Sequence, residues 1–386
     1  MTLADINSDG DYKLIIADLG TGTTNIKLKV YKGTSLMSES TLMDVPCGVV
    51  TFHMDMSEPR VPGPNVYIYK NMRPYFKFSL PSMEVNPLEH DLWMESVITS
   101  ITTLKKSMAE ADSASCLVVG TESSDIYILD PEAFTILENM NLGGPGNVKC
   151  VGAPVHLGAT GLYDVEFRVL AACRDGSVHL VRRGWSQSRI LVQLPAHAVA
   201  MVILPENSSI VIALMDETLH GYSRKGKKQW ELKLPNTATA MAPIHLQHQG
   251  MTLVAVALTG GTVNLYSGRQ VMDTITAPDS VSGILFGRFG QEEHSLVLVT
   301  ISGHLVVKIL KRTAQFIAQS SATGIVPPQQ IKMLIPKKTK LFMEQTLRER
   351  ESALGSRVGS NVQDPHYSGE HVVFDSIEGS SNQFPL

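Results

Sequence analysis

Residues Leu253–Gly268 have the sequence LVAVALTGGTVNLYSG, and this stretch decides the fold. An apolar run is followed by a Gly-Gly pair and then by a second run in which apolar and polar residues alternate. Such a pattern is typical of two antiparallel strands joined by a tight turn. Because a single hairpin is only marginally stable in water, we expect other segments to repeat the pattern and cover its faces.

The pattern recurs along the chain at a nearly constant spacing. The positions equivalent to the residue before the second run are separated by 40, 60, 52, 41, 44 and 42 residues: Asn25, Asn65, Asp125, Ser177, Thr218, Thr262 and His304. A period of about 40–45 residues is typical of β-propellers with four strands in each blade. The sequence therefore predicts an all-β, seven-bladed propeller over residues 1–320.

The second repeat is irregular. Asn65–Lys70 and Tyr75–Leu80 alternate as strands do, but the preceding residues 58–64 (EPRVPGP) contain three prolines where an apolar strand would be expected. Proline cannot donate a ladder hydrogen bond, so we expect this blade to be incomplete. For residues 82–114 the sequence does not decide between a helix and a strand, because the apolar residues have helical spacing while the run VITSITT is rich in β-branched residues.

From Cys116 onward the strands follow one another regularly. The fourth repeat shows three strands, Val165–Ala172, Val178–Arg182 and Arg189–Leu194, and the last repeat is predicted to end with a strand at Thr313–Ala318. Apolar second strands are expected to be buried on both faces and alternating third strands to be half exposed.

The region after the propeller is predicted to be organised differently. Residues 321–340 contain a glycine, three prolines and a basic run, which indicate a linker, and residues 341–352 (LFMEQTLRERES) predict a short helix. Residues 353–386 are rich in serine, glycine and asparagine, so we expect an irregular, disordered tail.

The composition excludes several classes of protein. The net charge is −4, which does not favour nucleic-acid binding. The four cysteines show no C-x-x-C spacing and are expected to be reduced in an intracellular protein. No window approaches the roughly 18 apolar residues of a membrane helix, so we expect a soluble, cytoplasmic chain without a membrane span.

Two loops near the N-terminus resemble ligand-binding motifs. The segment Asp5–Asp11 (DINSDGD) has the oxygen spacing of a calcium loop, but Ile16 and Lys13 stand where such loops require acids, so we expect a simple turn. The segment Asp18–Lys27 (DLGTGTTNIK) resembles the phosphate loop of the actin and sugar-kinase superfamily. An ATP-binding phosphotransferase is therefore an alternative, although a Gly/Thr-rich hairpin turn explains the same residues.

Other candidate sites are weak. No motif of a hydrolase, zinc protease or P-loop enzyme occurs, and the close pair His245 and His248 lacks acidic or cysteine partners, so we predict no catalytic, cofactor or metal site. Basic clusters are expected to be solvated or to form a rim for an acidic partner or anionic head groups: Arg182-Arg183, Arg224–Lys228, Lys311-Arg312 and Lys337–Lys340.

Six longer stretches resemble one known family. They are Tyr67–Pro81 (YIYKNMRPYFKFSLP), Asn86–Trp93 (NPLEHDLW), Asp130–Leu137 (DPEAFTIL), Gly226–Trp230 (GKKQW), Ile309–Ala314 (ILKRTA) and Gln345–Ser352 (QTLRERES). These stretches resemble the Bardet–Biedl syndrome 1 proteins, which are subunits of the BBSome, the coat-like complex that moves membrane proteins into and out of cilia. The match stops beyond Ser352, and this chain lacks an apolar strand before Asn65 and a helical insert after Trp93 that relatives have.

The resemblance implies a non-enzymatic function without a cofactor. It implies that the propeller binds an Arf-like small GTPase in its GTP form near the first and last blades, with other BBSome subunits and ciliary membrane proteins as further partners. The implied localisation is the cytoplasm, the ciliary base and the ciliary membrane. Carried over to this sequence, the candidate partner-binding residues are Lys27, Lys29, Asn71, Arg73, Tyr75, Lys308, Lys311 and Arg312. A generic scaffold propeller with another partner remains an alternative.

Overall fold

The computed structural model describes residues 1–6, 9–20, 26–42, 45–51, 65–70, 73–80, 97–110, 113–133, 135–143, 152–185, 187–205, 208–311, 314, 316, 342–349 and 374–376. The chain divides into two compact units. The first comprises Met1–Phe316 with Val373–Leu386, and the second comprises Ile317–Val372. The second unit contains helix α1 over residues 342–349, and the first contains the strands of the propeller.

Antiparallel strands that are consecutive in sequence form the blades. Blade 1 contains β1 (Thr2–Ala4), β2 (Lys13–Asp18), β3 (Lys27–Lys32) and β4 (Ser35–Thr41). Blade 2 contains β5 (Asn65–Lys70) and β6 (Arg73–Ser79). Blade 3 contains β7 (Ile98–Lys105), β8 (Ser115–Thr121), β9 (Asp125–Leu129) and β10 (Ile136–Asn141). Blade 4 contains β11 (Pro154–Leu162), β12 (Glu166–Cys173), β13 (Ser177–Arg182) and β14 (Arg189–Gln193). Blade 5 contains β15 (Ala198–Ile203), β16 (Ile210–Leu214), β17 (Thr218–Tyr222) and β18 (Lys228–Lys233). Blade 6 contains β19 (Ala238–Leu246), β20 (Met251–Leu258), β21 (Thr262–Ser267) and β22 (Gln270–Thr276). Blade 7 contains β23 (Val281–Phe289), β24 (Glu292–Thr300), β25 (Leu305–Leu310) and β26 (Phe374–Ser376).

The second blade has two strands, β5 and β6, within the described residues, and its expected incompleteness stays a prediction because the flanking residues lie outside them. The proline-rich residues 58–64 lie outside the described residues. The ambiguous stretch 82–114 contains strand β7, as the β-branched run favours, and the residues before Val97 are not described.

Apolar clusters between neighbouring blades hold the propeller together. In β20, Leu253 packs with residues of the last blade, whereas Leu258 packs with residues of the fifth blade. The remaining clusters join blades 2 with 3, 3 with 4, 4 with 5, and 7 with 1. In the last of these, Leu14 and Tyr31 pack with Phe289, Val297 and Val307, so the first and last blades are neighbours.

In blades 3 to 6 the second strands are largely buried on both faces, as predicted, and the third strands are largely buried too, contrary to the prediction. In blades 1 and 7 the third strands, β3 and β25, are partly exposed. All five residues of β9 and of β17 are buried. Hydrogen bonds explain why polar residues are tolerated there. In blade 4, His179 Nε2 lies 3.0 Å from Ser177 Oγ, which donates to Asp175 at 2.6 Å. Burial lowers the pKa of His179, so this imidazole is kept neutral.

Strand β11 was missed by the prediction, which began the fourth blade at Val165. The segment PVHLGATGL contains glycines that disfavour a strand in isolation. The innermost strands need small residues because they meet at close range. A Cβ on Gly158 would lie 2.6 Å from Ile203 Cδ1 of the neighbouring blade. Tertiary packing therefore overrides local propensity here.

The outermost strand of the last blade comes from the tail. Strand β26 pairs antiparallel with β25, with Leu310 opposite Phe374 and Lys308 opposite Ser376. The predicted fourth strand at Thr313–Ala318 falls largely outside the described residues, and Ala314 and Phe316 are not in a strand. An unpaired edge offers N–H and C=O groups to any extended segment, so a short piece of the tail can occupy it.

Candidate partner-binding site

The first and last blades form the candidate site, because the family resemblance implies binding there and because one apolar cluster joins the two blades. In β3, Lys27 and Lys29 alternate with buried residues and share a face with Tyr31. Tyr31 packs with Val307 of β25, so this face of β3 points towards the last blade. The structure therefore places Lys27 and Lys29 together beside the last blade.

Both lysines form ion pairs on blade 1. Lys29 Nζ lies 2.5 Å from Asp18 Oδ2, and Lys27 Nζ lies 2.9 Å from Glu39 Oε1. Burial raises the pKa of Asp18, but hydrogen bonds from Lys29 and from the backbone N–H of Gly20 outweigh burial and lower it overall. The surface is thus a set of paired charges, which favours orientation and selectivity over raw affinity.

The candidate residues of the last blade are oriented differently. In β25, Val306 and Leu310 pack against blade 6, whereas Leu305 and Val307 pack against blade 1. By strand alternation Lys308 shares the face of Val306 and is not brought next to Lys29. Lys311 follows the end of β25, where its carbonyl accepts a hydrogen bond from the N–H of Ala314. Arg312 lies outside the described residues.

The other candidates belong to the second blade. Arg73 and Tyr75 lie in β6, and Arg73 pairs with Lys70 of β5. Asn71 lies outside the described residues. These positions are on the far side of blade 1 from the last blade, so the structure does not bring them together with Lys308 and Lys311.

The sequence interpretation missed an apolar patch on the outermost strand of blade 1. Leu36 and Met37 of β4 are 47% and 51% exposed. The signal was present as an apolar pair in the otherwise polar segment SLMSEST. Exposed apolar side chains of this kind supply the desolvated anchors of protein interfaces.

The Asp5–Asp11 loop is closed by a lysine. Lys13, only 1% exposed, donates from Nζ to Asp9 at 3.2 Å and to the Asp11 carbonyl at 2.8 Å. The Asp5 carboxylate accepts hydrogen bonds from the backbone N–H groups of Asp9 and Gly10. The expected turn is therefore present, with an ammonium group among the oxygens. In the described part of the chain, no three His, Cys, Asp or Glu side chains are grouped so as to hold a metal ion.

Removing the ammonium group of Lys13 should raise the pKa of the Asp9 carboxyl group. The backbone N–H of Asp11 and the side chain of Lys13 lower the pKa of Asp9 from 3.8 to about 2. We expect Lys13→Met to raise it towards 3.8, as measured by NMR titration of the Asp9 carboxyl. Because the folded pKa is the lower one, the contribution of Asp9 to stability is present above pH 3.8 and is lost as the pH falls towards 2.

A matched control uses an exposed lysine at the end of β3 that pairs with the same loop. Lys32 pairs with Asp11 at 2.7 Å and is 62% exposed. Lys32→Met should leave the pKa of Asp9 nearly unchanged. An equal rise in both variants would show that general charge, and not the hydrogen bond from Lys13, lowers the pKa of Asp9.

The phosphotransferase alternative is contradicted by the fold. It requires long helices over both sheets, whereas these sheets are covered by neighbouring blades. The Asp18 carboxylate is also occupied by Lys29 and by the N–H of Gly20 at 3.0 Å. Residues 21–25 of the loop lie outside the described residues. Among the described helices, none is both long and apolar enough to cross a membrane.

Comparison with known proteins gives one family. The model for BBS1, ciliary BBSome complex subunit 1, matches residues 1–96 and 94–182. The chain is 38% identical to the Mus musculus BBSome complex member BBS1 over 414 residues, and the match covers 91% of this chain and 68% of that protein. The Homo sapiens BBSome complex member BBS1 is 37% identical with the same coverage.

Solved structures agree with this relationship. A crystal structure of BBS1N in complex with ARL6DN, soaked with mercury, matches at a TM-score of 0.71 and 34% identity, covering 82% of this chain and 93% of that chain. The corresponding lead-soaked crystal structure matches at the same TM-score and 33% identity. The seven-repeat spacing, the blades and these matches agree, and the chain belongs to the BBS1 family of BBSome subunits.

Proposed function

We propose that this chain is a docking subunit whose propeller binds an Arf-like small GTPase in its GTP form and so recruits the BBSome to ciliary membranes. The observation that carries the proposal is the match to BBS1N in complex with ARL6DN, which covers 93% of that BBS1N chain. The proposed site is the face of blades 1 and 7 that contains Lys27, Lys29, Leu36 and Met37. Selectivity for GTP would arise because the switch regions of a GTPase are ordered by the γ-phosphate and rearrange after hydrolysis.

The proposed surface combines two kinds of contact. Leu36 and Met37 would be buried by the partner and supply most of the affinity. Lys27 and Lys29 would exchange part of their pairing with Glu39 and Asp18 for acidic groups of the partner, which mainly affects the rate of association. Other BBSome subunits and, through the complex, ciliary membrane proteins are the further proposed partners.

The test is a pull-down of the purified chain with the GTPase loaded with a non-hydrolysable GTP analogue or with GDP. We expect retention only with the GTP analogue. Equal retention of both forms would contradict the proposed selectivity. No retention by a folded sample would favour the generic scaffold with another partner.

A pair of substitutions locates the interface. We expect Met37→Glu to weaken binding at least about tenfold, because it places a charge in a desolvated contact. The control is Val271→Glu, at a residue that is 47% exposed on β22, the outermost strand of blade 6. The dissociation constant measured by titration calorimetry should be unchanged by Val271→Glu. An equal effect of both variants would place the interface elsewhere.

A further inference from the structure

Arginines converge where blades 4 and 5 meet. Arg168 of β12 and Arg182 of β13 are directly opposite in register. Both share a face with residues that pack against blade 5, because Leu170 and Leu180 belong to the cluster between these blades. Like charges directly opposite each other on a sheet are destabilising, so this pair requires an explanation.

A third arginine comes from blade 5. Arg168 Nη2 donates to the carbonyl of Arg224, in the turn between β17 and β18, at 2.8 Å. This turn is packed tightly on blade 4, since a Cβ on Gly226 would lie 2.5 Å from the Leu191 carbonyl oxygen. Burial, followed by the charges of Arg224 and Arg182, lowers the pKa of Arg168. The three guanidinium groups therefore lie within electrostatic range of one another.

The buried donors of this cluster are incompletely used. Arg168 is 4% exposed, and its Nε has no hydrogen-bond partner among the described residues. The Nε of Arg182 is also buried without such a partner. Leaving a buried donor unsatisfied is destabilising, and more so for a charged group. Two such donors on opposed residues are available to an acceptor from outside the chain.

Among the described residues, the carboxylate that acts on this cluster is that of Glu166. Glu166 Oε1 lies 4.0 Å from Arg182 Nη1, beyond hydrogen-bond distance, and its side chain is 63% exposed. Trp185 fixes the cluster from one side, with the guanidinium carbons of Arg182 and Arg189 lying 5.5 and 4.4 Å from its ring centre. The ring orients these two cations without neutralising them.

We propose that the Arg168–Arg182–Arg224 cluster is a binding site for a phosphate group, either free or in a phosphate ester. Guanidinium groups match phosphate oxygens with paired N–H donors. The proposed phosphate would accept hydrogen bonds from Arg168 Nε and Arg182 Nε, the two buried donors without a partner among the described residues. A carboxylate has only two oxygens and one charge, so it would neutralise less of the cluster.

The test uses inorganic phosphate as the probe on the whole chain, with acetate and chloride at matched ionic strength. We expect saturable binding of phosphate by calorimetry and a rise in melting temperature, because a ligand that binds only the folded state stabilises it. Equal rises with acetate or chloride would reduce the effect to charge screening and overturn the proposal. No saturable binding of phosphate in any form would overturn it too.

A second arm identifies the source of the phosphate. Vesicles of phosphatidylcholine with and without a phosphatidylinositol phosphate are compared with the soluble inositol phosphate. Binding of the soluble inositol phosphate alone would assign a free anion. Binding of vesicles only when they contain the phosphatidylinositol phosphate would assign a lipid head group. Both results support the phosphate site.

The decisive variant is Arg182→Gln, because Arg182 is partly exposed and its loss is compatible with folding. We expect phosphate affinity to fall at least about tenfold. Without phosphate the melting temperature should be unchanged or higher, because a like-charge pair is removed. A purely structural arginine would instead lower it under both conditions. Arg269→Gln, at an exposed residue in the equivalent turn of blade 6, is the control and should change neither quantity.

Discussion

Replacing Leu253 or Leu258 by alanine should lower the free energy of unfolding by about 2–5 kcal/mol in each case. The two side chains point to opposite faces of β20 and are fully or almost fully buried, at 0% and 1% exposed. Leu253 packs towards blade 7 and Leu258 towards blade 5. Because close-packed surroundings relax only partially, each truncation leaves a cavity in addition to the lost burial.

The measurement is chemical denaturation of the two variants and of Val271→Ala. Val271 is 47% exposed on β22, in the same blade, and its truncation should change the free energy of unfolding by no more than about 0.5 kcal/mol. A large effect at Leu253 with a negligible effect at Leu258 would mean that β20 is covered on one face only. That result would contradict the packing of blade 6 between two neighbours.

Replacing Gly161 by alanine should destabilise the protein by about 3 kcal/mol or more. Gly161 has φ +92°, and an added Cβ would lie 2.2 Å from the Glu166 carbonyl oxygen and 3.1 Å from Phe167 Cα. Both neighbours are backbone atoms at the start of β12, so they cannot move aside as a flexible side chain would. The hairpin that joins β11 to β12 would have to open.

Gly184→Ala separates the clash from the backbone preference. Gly184 also has a left-handed backbone, with φ +73°, but nothing lies within 4 Å of its added Cβ. We expect only about 1–2 kcal/mol of destabilisation there. Similar losses at Gly161 and Gly184 in urea denaturation would show that the close approach of Glu166 is not limiting.

The repeat pattern was sufficient to predict the propeller, because hydrophobic alternation and turn residues are local signals. The strands around Leu253–Gly268 are the clearest example, since β20 and β21 match the predicted runs. Strand β11 escaped detection because its glycines satisfy a tertiary requirement, the close approach to Ile203. Strand β26 escaped because its partner β25 is distant in sequence.

The candidate site was predicted less completely than the fold. Lys27 and Lys29 were named only through the family resemblance, and their pairing with Glu39 and Asp18 is visible only in three dimensions. The face on which Lys308 lies depends on which blade Val306 contacts. Arg182 and Arg224 stood in two separate basic stretches of the sequence and Arg168 in none, because a sequence does not show that Arg168 is opposite Arg182.

The contact between the first and last blades has a consequence for folding kinetics. Most clusters join segments that are close in sequence, so neighbouring blades can assemble locally and quickly. The seal between β1 and β23, where Met1 lies against Gly283, joins segments separated by most of the chain. Loop-closure entropy makes this the costliest contact to form, so ring closure should be the late, rate-limiting event. Substitutions at the seal that weaken contacts formed after this barrier should therefore speed unfolding more than they slow folding.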